Sequence, residues 1–255
     1  MIRKNKQTMK TIIMKYTLGA LLLLVAICAC KKEEDETTDG TGDSINLERD
    51  LALYICFDGE NCYDLSGHGF NGVAVGNVNY VADTPNKKGK AASIDGTDHQ
   101  YINIPYAVVG DSTNFTVSLW VKDFGTGCLF SNVSGNYAQS PGFFVNSDMS
   151  PRIMYYNGSY KDINTTLNTY QSSGWHMLTC TATQKRNELC LYIDGQRVNS
   201  ERINSCNSSG TKMQIGGNAD GYYNAWADPM IVDNFRVYRR CLSPKEVQEL
   251  YNRER

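Results

Sequence analysis

Residues 115–122 read Phe-Thr-Val-Ser-Leu-Trp-Val-Lys. Phe115, Val117, Leu119 and Val121 fall on one side of an extended chain, and Thr116, Ser118 and Trp120 on the other, because successive side chains of a strand point to opposite faces. A period of two over eight residues, with no glycine or proline, predicts a strand with one face in a core. The pattern recurs further along. Leu178 and Cys180 alternate with Met177 and Thr179, and Leu189, Leu191 and Ile193 with Cys190 and Tyr192. Ile231, Asp233, Phe235 and Val237 alternate with Val232, Asn234 and Arg236. Turn signals separate these runs: Asp58-Gly59, Ser66-Gly67-His68-Gly69, Asp95-Gly96, Asn157-Gly158, Asp194-Gly195 and Gly216-Gly217-Asn218. Many short strands at this spacing predict an all-β, two-sheet antiparallel sandwich.

One helix is expected, at the C-terminal end. Ser243-Pro244-Lys245-Glu246 is a capping box with proline at the first helical position. Val247, Leu250 and Tyr251 then form a short apolar stripe suited to packing on the sandwich.

The whole chain has 255 residues, 41% hydrophobic and 20% charged, which suits a globular protein. Its formal net charge of −2 conceals an asymmetry. The first 29 residues carry five of the 25 basic groups (Arg3, Lys4, Lys6, Lys10, Lys15) and none of the 27 acidic ones, so the remainder has 20 against 27, a net −7. An acidic body without a basic stripe excludes nucleic acid as the expected partner. The apolar run from Leu18 to Cys30 is too short for a bilayer span, which needs about 20 residues, and fits a secretory signal. Its end, Ile27-Cys28-Ala29-Cys30, resembles a bacterial lipobox. The resemblance implies cleavage after residue 29, lipidation of Cys30, and a membrane contact made through the lipid anchor alone. Residues 31–44, KKEEDETTDGTGDS, contain no apolar side chain and read as a tether. The run 31–36 resembles the acidic export signal of Bacteroidetes surface lipoproteins, which implies a surface-exposed, outer-membrane location. The expected organisation is a signal peptide at 1–29, lipidated cysteine and tether at 30–46, and one domain at 47–255.

Within that domain a series of segments appears in a familiar order. LALYICFDGENCYDLSGHGFNGVAV (51–75) comes first, then GKAASIDGTDHQYINIP (89–105), FTVSLWVK, GWHMLTCTAT and LCLYIDGQRV, and finally VDNFRVYRRCLSPKEVQELY (232–251). Together they resemble the laminin-G-like, concanavalin A-like lectin/glucanase family, with Ile94 where that family usually has phenylalanine. The resemblance implies a jelly-roll sandwich with one concave face and a short C-terminal helix.

Three kinds of chemistry follow for such a domain. The resemblance implies a structural calcium ion where the first loop meets the last strand. Calcium takes six to eight oxygens, and Asp58, Asp64 and Asn71 in the loop with Asp233 in the last strand are the candidate ligands. Asp233 stands out, because a carboxylate among Ile231, Phe235 and Val237 is costly to bury unless paired or coordinated. The alternative is a set of carboxylates capping backbone amides. The second chemistry is glycan binding. Lectins of this fold stack sugars on aromatic rings and orient them with amide and carboxylate groups. Asn218–Asp228 has that composition, with Asp220, Tyr222, Tyr223, Asn224 and Trp226 as candidate contacts. The run from Tyr155 to Tyr160 is a second aromatic tip, with Tyr156 as its candidate contact, and Asn136 and Tyr137 are further contributors. Rings that merely cover a sandwich rim are the alternative. Trp120 and Trp175 are expected to be packing residues. The third is glycoside hydrolysis, which needs paired carboxylates on one strand. No Glu-x-Asp-x-Glu string is present, and no Glu lies between Glu60 and Glu188. His68, His99 and His176 lack the spacing of a zinc site.

The expected function is therefore non-catalytic carbohydrate binding at the cell surface, with a surface-protein partner as the alternative. Beyond Cys28 and Cys30 seven cysteines remain, an odd number whose pairing the sequence leaves open.

Overall fold

In a computed structural model of the protein, the described residues are 44–96, 100–109, 114–134, 137–156, 158–165, 174–203, 210–217 and 229–255, with the backbone alone described at 133–134 and 137–140. The compact unit spans Ile45–Arg255. It holds fifteen strands and one helix among those residues: β1 Leu51–Ile55, β2 Val73–Val75, β3 Asn79–Val81, β4 Ala91–Ile94, β5 Tyr101–Ile104, β6 Phe115–Lys122, β7 Gly127–Ser134, β8 Tyr137–Val145, β9 Pro151–Tyr156, β10 Tyr160–Asn164, β11 His176–Thr183, β12 Glu188–Ile193, β13 Gln196–Arg202, β14 Lys212–Ile215, β15 Met230–Tyr238 and α1 Pro244–Glu254.

The strands form two antiparallel sheets. One has the order β13-β12-β11-β6-β15-β4-β3, with β1 also on β15; the other has the order β10-β9-β8-β7-β14-β5-β2. The core lies between them. Val117, Leu119, Val121, Leu178, Cys180 and Leu191 enter it from the first sheet, and Ile102, Phe130, Phe143, Ile153, Met213 and Ile215 from the second. Phe130 meets Phe143 and Phe235 at centroid distances of 6.0 and 5.2 Å, with tilted rings. Burial of these side chains, about 1.5–3 kcal/mol each, is what the period-two patterns of β6, β11 and β12 encode.

The last strand departs from its sequence pattern. β4 pairs with Met230–Val232, β1 with Phe235–Tyr238. At the exchange of partners the register against β6 slips by one residue. Asp233 stands opposite Trp120, and Arg236 opposite Ser118. Asn234 absorbs the extra residue in a left-handed conformation (φ 48°), which asparagine tolerates better than most residues. Val232, Phe235 and Val237 therefore face the core. The expectation that Asp233 points inward with Phe235 and Val237 is corrected: the bulge turns it to the outer face, beside Trp120.

That outer face is closed by α1. Its capping box is formed, with Glu246 N donating to Ser243 Oγ at 3.3 Å and Ser243 N to Glu246 Oε2 at 2.8 Å. Val247 and Leu250 pack with Leu242 on Trp120, Met177, Cys190, Tyr192 and Tyr238. Tyr251 stacks on Trp120 at 5.4 Å. Glu254 seals the end, accepting from Trp120 Nε1 at 2.8 Å and from Arg236 Nε at 2.6 Å. Ile45 and Leu47 join the same cluster, so the packed unit begins two residues before the expected boundary at 47.

Candidate functional site

The first loop is organised by Asp64. Its Oδ1 accepts from Tyr54 N at 3.1 Å and Ser66 N at 2.8 Å, and its Oδ2 from Phe70 N at 3.0 Å. Burial alone would raise this carboxyl; the bonds from Ser66, Tyr54 and Phe70 outweigh it and hold the group below its ordinary value. Asn71 Oδ1 accepts from Asp64 N at 2.9 Å. Asp64 and Asn71 thus brace backbone amides. Asp58 Oδ1 accepts from Lys90 N at 2.9 Å. The loop opposite is held at Gly89 (φ +78°), where a Cβ would fall 1.7 Å from Asp58 Oδ1.

Asp233 is 3% exposed, and its Oδ1 accepts from the amide of its own neighbour, Asn234, at 2.7 Å. Burial, above all, pushes its carboxyl up to about 8; the charges of Asp58 and Glu254 add to the rise against the Asn234 amide and Arg236. Tyr54 spans this corner. Its hydroxyl donates to Asn234 Oδ1 at 2.8 Å, and the Arg236 guanidinium lies 3.4 Å over its ring. The four expected calcium ligands are thereby divided in role: Asp64 and Asn71 hold the loop, while Asp58 and Asp233 influence each other electrostatically. Among the described residues no three of His, Cys, Asp or Glu converge in a way that could hold a metal ion.

The second region is the outer face of the β9–β10 hairpin. The register pairs Tyr160 with Tyr156, Asp162 with Met154, and Asn164 with Arg152. Strand alternation therefore places Arg152, Met154 and Tyr156 beside Tyr160, Asp162 and Asn164, with Ile153, Tyr155 and Ile163 in the core. The Tyr156 and Tyr160 rings meet edge to face at 5.2 Å, and Tyr160 is 37% exposed. Arg152 Nη1 lies 2.6 Å from Asp162 Oδ1, with Arg152 half-buried and Asp162 exposed. Its guanidinium sits 5.4 Å over Phe144, and its Nε is buried without a hydrogen-bond partner. Asn146 Nδ2 donates to Asn164 Oδ1 at 3.1 Å, extending the polar row. Arg152 and Asp162 were not among the residues expected for binding. The signal for them was the period of two counted outward from Tyr156, which Asn157-Gly158 interrupts.

The expected segment 218–228, with Asp220, Tyr222, Tyr223, Asn224 and Trp226, lies outside the described residues, as do Cys30, His99, Asn136, Asn157 and Cys206. Tyr155 turns inward and donates its hydroxyl to Glu201 Oε2 at 2.7 Å. Glu188 contacts Arg186 Nε at 3.2 Å and Arg197 Nη1 at 3.5 Å. Both tryptophans pack, with Trp175 Nε1 donating to Asp83 Oδ1 at 3.0 Å. A separate group of exposed apolar side chains surrounds the first loop: Tyr63, Leu65, Val73 and Tyr106, with Phe70 ringed by His68 and Tyr106 at 5.9 and 5.2 Å.

Residues 95–248 match the family model described as the concanavalin A-like lectin/glucanases superfamily. The chain belongs to that superfamily. Among curated proteins it is similar to botulinum neurotoxin type X of Clostridium botulinum, 25% identical over 198 residues, which cover 74% of this chain and 15% of the toxin. Among solved structures this superfamily member is similar to the binding domain of Paraclostridial Mosquitocidal Protein 1, with a TM-score of 0.67 and 21% identity over 82% of this chain and 53% of that one. It is also similar to domain 4 of an extracellular arabinanase from Geobacillus stearothermophilus in complex with arabinotriose, with a TM-score of 0.65 and 20% identity over 79% of this chain and 98% of that domain. A third is the binding domain of botulinum neurotoxin DC in complex with rat synaptotagmin II, with a TM-score of 0.65 and 15% identity over 82% and 53% of the two chains. The chain spans a small part of the curated toxin and about half of the toxin binding domains. At these identities the structural likenesses establish the shared sandwich.

Proposed function

We propose that the protein is a non-catalytic carbohydrate-binding domain that captures polysaccharide at the cell surface. The observation that carries this reading is the outer face of β9–β10, where the Tyr156–Tyr160 ring pair adjoins the Arg152–Asp162 ion pair. A sugar ring presents an apolar C–H face and a rim of hydroxyls. Tyr160 supplies a ring to the first. Arg152 donors and Asp162 acceptors meet the second in a fixed, ion-paired geometry. The arabinanase domain, crystallised with arabinotriose on the same fold, supports the ligand class. Asp220, Tyr222, Tyr223, Asn224 and Trp226 belong to the proposal as a second aromatic contact.

Calcium is part of the same reading. Asp58 and Asp233 would hold the ion, aided by carbonyls of the glycine-rich loop, while Asp64 and Asn71 keep that loop in shape. A cation beside Asp233 would favour the ionised carboxylate, which burial disfavours and which the Asn234 amide and the Arg236 charge offset only in part. The proposal also places the protein on the outer membrane through lipid on Cys30, facing outwards. Among the described residues no helix is long and apolar enough to cross a membrane.

A second reading, a protein-binding or adhesion module, draws on the first loop. Tyr63 is 62% exposed and Leu65 58% exposed on a segment whose backbone Asp64 has already fixed, and exposed apolar patches mark interaction surfaces. A glycan array probed with residues 45–255, in calcium and in EDTA, separates these readings. Calcium-dependent or calcium-indifferent binding to a defined glycan class supports the first. Silence in both buffers rejects it in favour of the second.

A further inference from the structure

We propose that the corner where β15 ends against the first loop is a second sugar contact, one that takes a uronic acid residue. The inference rests on the carbohydrate reading above and adds to it a site and a sugar class. Phe70 is the centre of the corner. The Arg239 guanidinium lies 5.7 Å from its ring centroid. The Tyr106 ring lies at 5.2 Å and the His68 ring at 5.9 Å, the latter nearly parallel at 8°. Arg239, Tyr106 and His68 are exposed. They come from three segments: the first loop, the residues after β5 and the residue after β15. Backbone hydrogen bonds fix each one. Phe70 N donates to Asp64 Oδ2 at 3.0 Å, Tyr106 N to Ile104 O at 2.8 Å, and Arg239 N to Asp50 O at 2.9 Å. A site assembled before its ligand arrives loses little ordering entropy on binding.

The corner offers polar groups of both kinds. Arg239 Nε donates to Val108 O at 3.1 Å, which orients the guanidinium. Its Nη1 and Nη2 have no hydrogen bond or ion pair among the described residues, so two donors in a planar fork remain. His68 supplies an acceptor. Ser66 has one hydroxyl proton and donates it to Ala52 O at 3.0 Å. The 3.1 Å contact between Ser66 Oγ and His68 Nδ1 therefore has Nδ1 as its donor. In the neutral imidazole this leaves Nε2 as an acceptor. A small inorganic anion would use the guanidinium alone, and a neutral sugar the rings and Nε2 alone. A hexuronate uses all three. Its planar carboxylate accepts from Nη1 and Nη2 as a parallel pair. The C–H face of its ring lies on Tyr106, which is 36% exposed, and a hydroxyl donates to His68 Nε2. Beyond residue 29 the chain has 20 basic against 27 acidic groups. Overall charge therefore gives a polyanion no general attraction, and recognition has to come from this one local cation.

The test measures binding of the full chain, by calorimetry at pH 7.5, to short oligogalacturonates and alginate oligosaccharides. The same sugars with their carboxyls reduced to alcohols serve as neutral partners. At least one uronate should bind about tenfold more tightly than its reduced form, as a hydrogen-bonded charge pair gives. Arg239→Gln should erase that difference, and the Tyr156→Ala/Tyr160→Ala double variant should keep it. Each variant is first shown to unfold at the wild-type urea concentration. Should Arg239→Gln fail that check, His68→Phe decides: it keeps a ring, removes the acceptor, and should weaken uronate binding about threefold. Equal binding of the uronates and their reduced forms, or a difference that persists in Arg239→Gln, overturns the uronate site and leaves the carbohydrate reading standing. Binding to none of these sugars also overturns the site; the carbohydrate reading falls with it only when the glycan array is silent as well.

Discussion

The two sheets put the same kinds of side chain on their outer faces and use them in opposite ways. On the eight-stranded sheet, Trp120, Tyr192 and Tyr238 lie beneath α1, and the Arg236–Glu254 ion pair is closed off with them. On the seven-stranded sheet, Tyr156 and Tyr160 stand at the end of a hairpin, and the Arg152–Asp162 pair beside them keeps partial contact with solvent. Aromatic rings next to an arginine–carboxylate pair are thus a clamp where a helix covers them and a candidate recognition surface where they remain open. The difference lies in coverage, and coverage is set by the capped helix that follows β15.

The contrast predicts unequal costs for parallel mutations. Removing the buried partner should be most damaging. Glu254→Ala strands the Arg236 guanidinium and the Trp120 indole N–H, and should destabilise the domain by about 3–5 kcal/mol in urea unfolding. The next effect concerns Asp233, at the border of the closed face. Its carboxyl is raised from 3.8 to about 8 in the folded state. The folded protein then binds more protons than the unfolded chain between those values, so stability falls as pH rises through that window. The slope should be up to about 1.4 kcal/mol per pH unit, measurable between pH 6 and 7. Asp233→Asn should flatten it, and in the wild type calcium should raise Tm more at pH 8 than at pH 5. An unchanged slope in Asp233→Asn would sink this assignment. On the open face, Tyr160→Ala should weaken glycan binding about tenfold, or about 1.4 kcal/mol. The same variant should leave unfolding stability within about 0.5 kcal/mol, as for other exposed positions. If Tyr160→Ala instead unfolds the domain as readily as Glu254→Ala, the two faces do not differ as described.

What the residue pattern revealed follows the same division. The sandwich was legible because β6, β11 and β12 keep an unbroken alternation over a buried face, and because Ser243 to Glu246 spells out a helix start. β15 was misread at Asp233, since a bulge adds one residue without any change in hydrophobicity; the sequence cue was Asn234, a residue that accepts left-handed backbone. The loop aspartates were legible as oxygen donors but not as to what they serve, because an Asp that braces amides and an Asp that binds calcium look alike until their hydrogen bonds are placed. Tyr156 was visible as a candidate contact, whereas Arg152 and Asp162 were not, because their pairing is diagonal across two strands and depends on register.

The most direct test of the carbohydrate proposal is a glycan array probed with wild-type residues 45–255 and with the Tyr156→Ala/Tyr160→Ala double variant, both first shown to unfold at the same urea concentration. The expected result is binding of the wild type to a defined glycan class and loss of at least tenfold in the double variant. Equal binding by the two proteins would move the site away from β9–β10, and no wild-type binding to any glycan would contradict the proposed function itself.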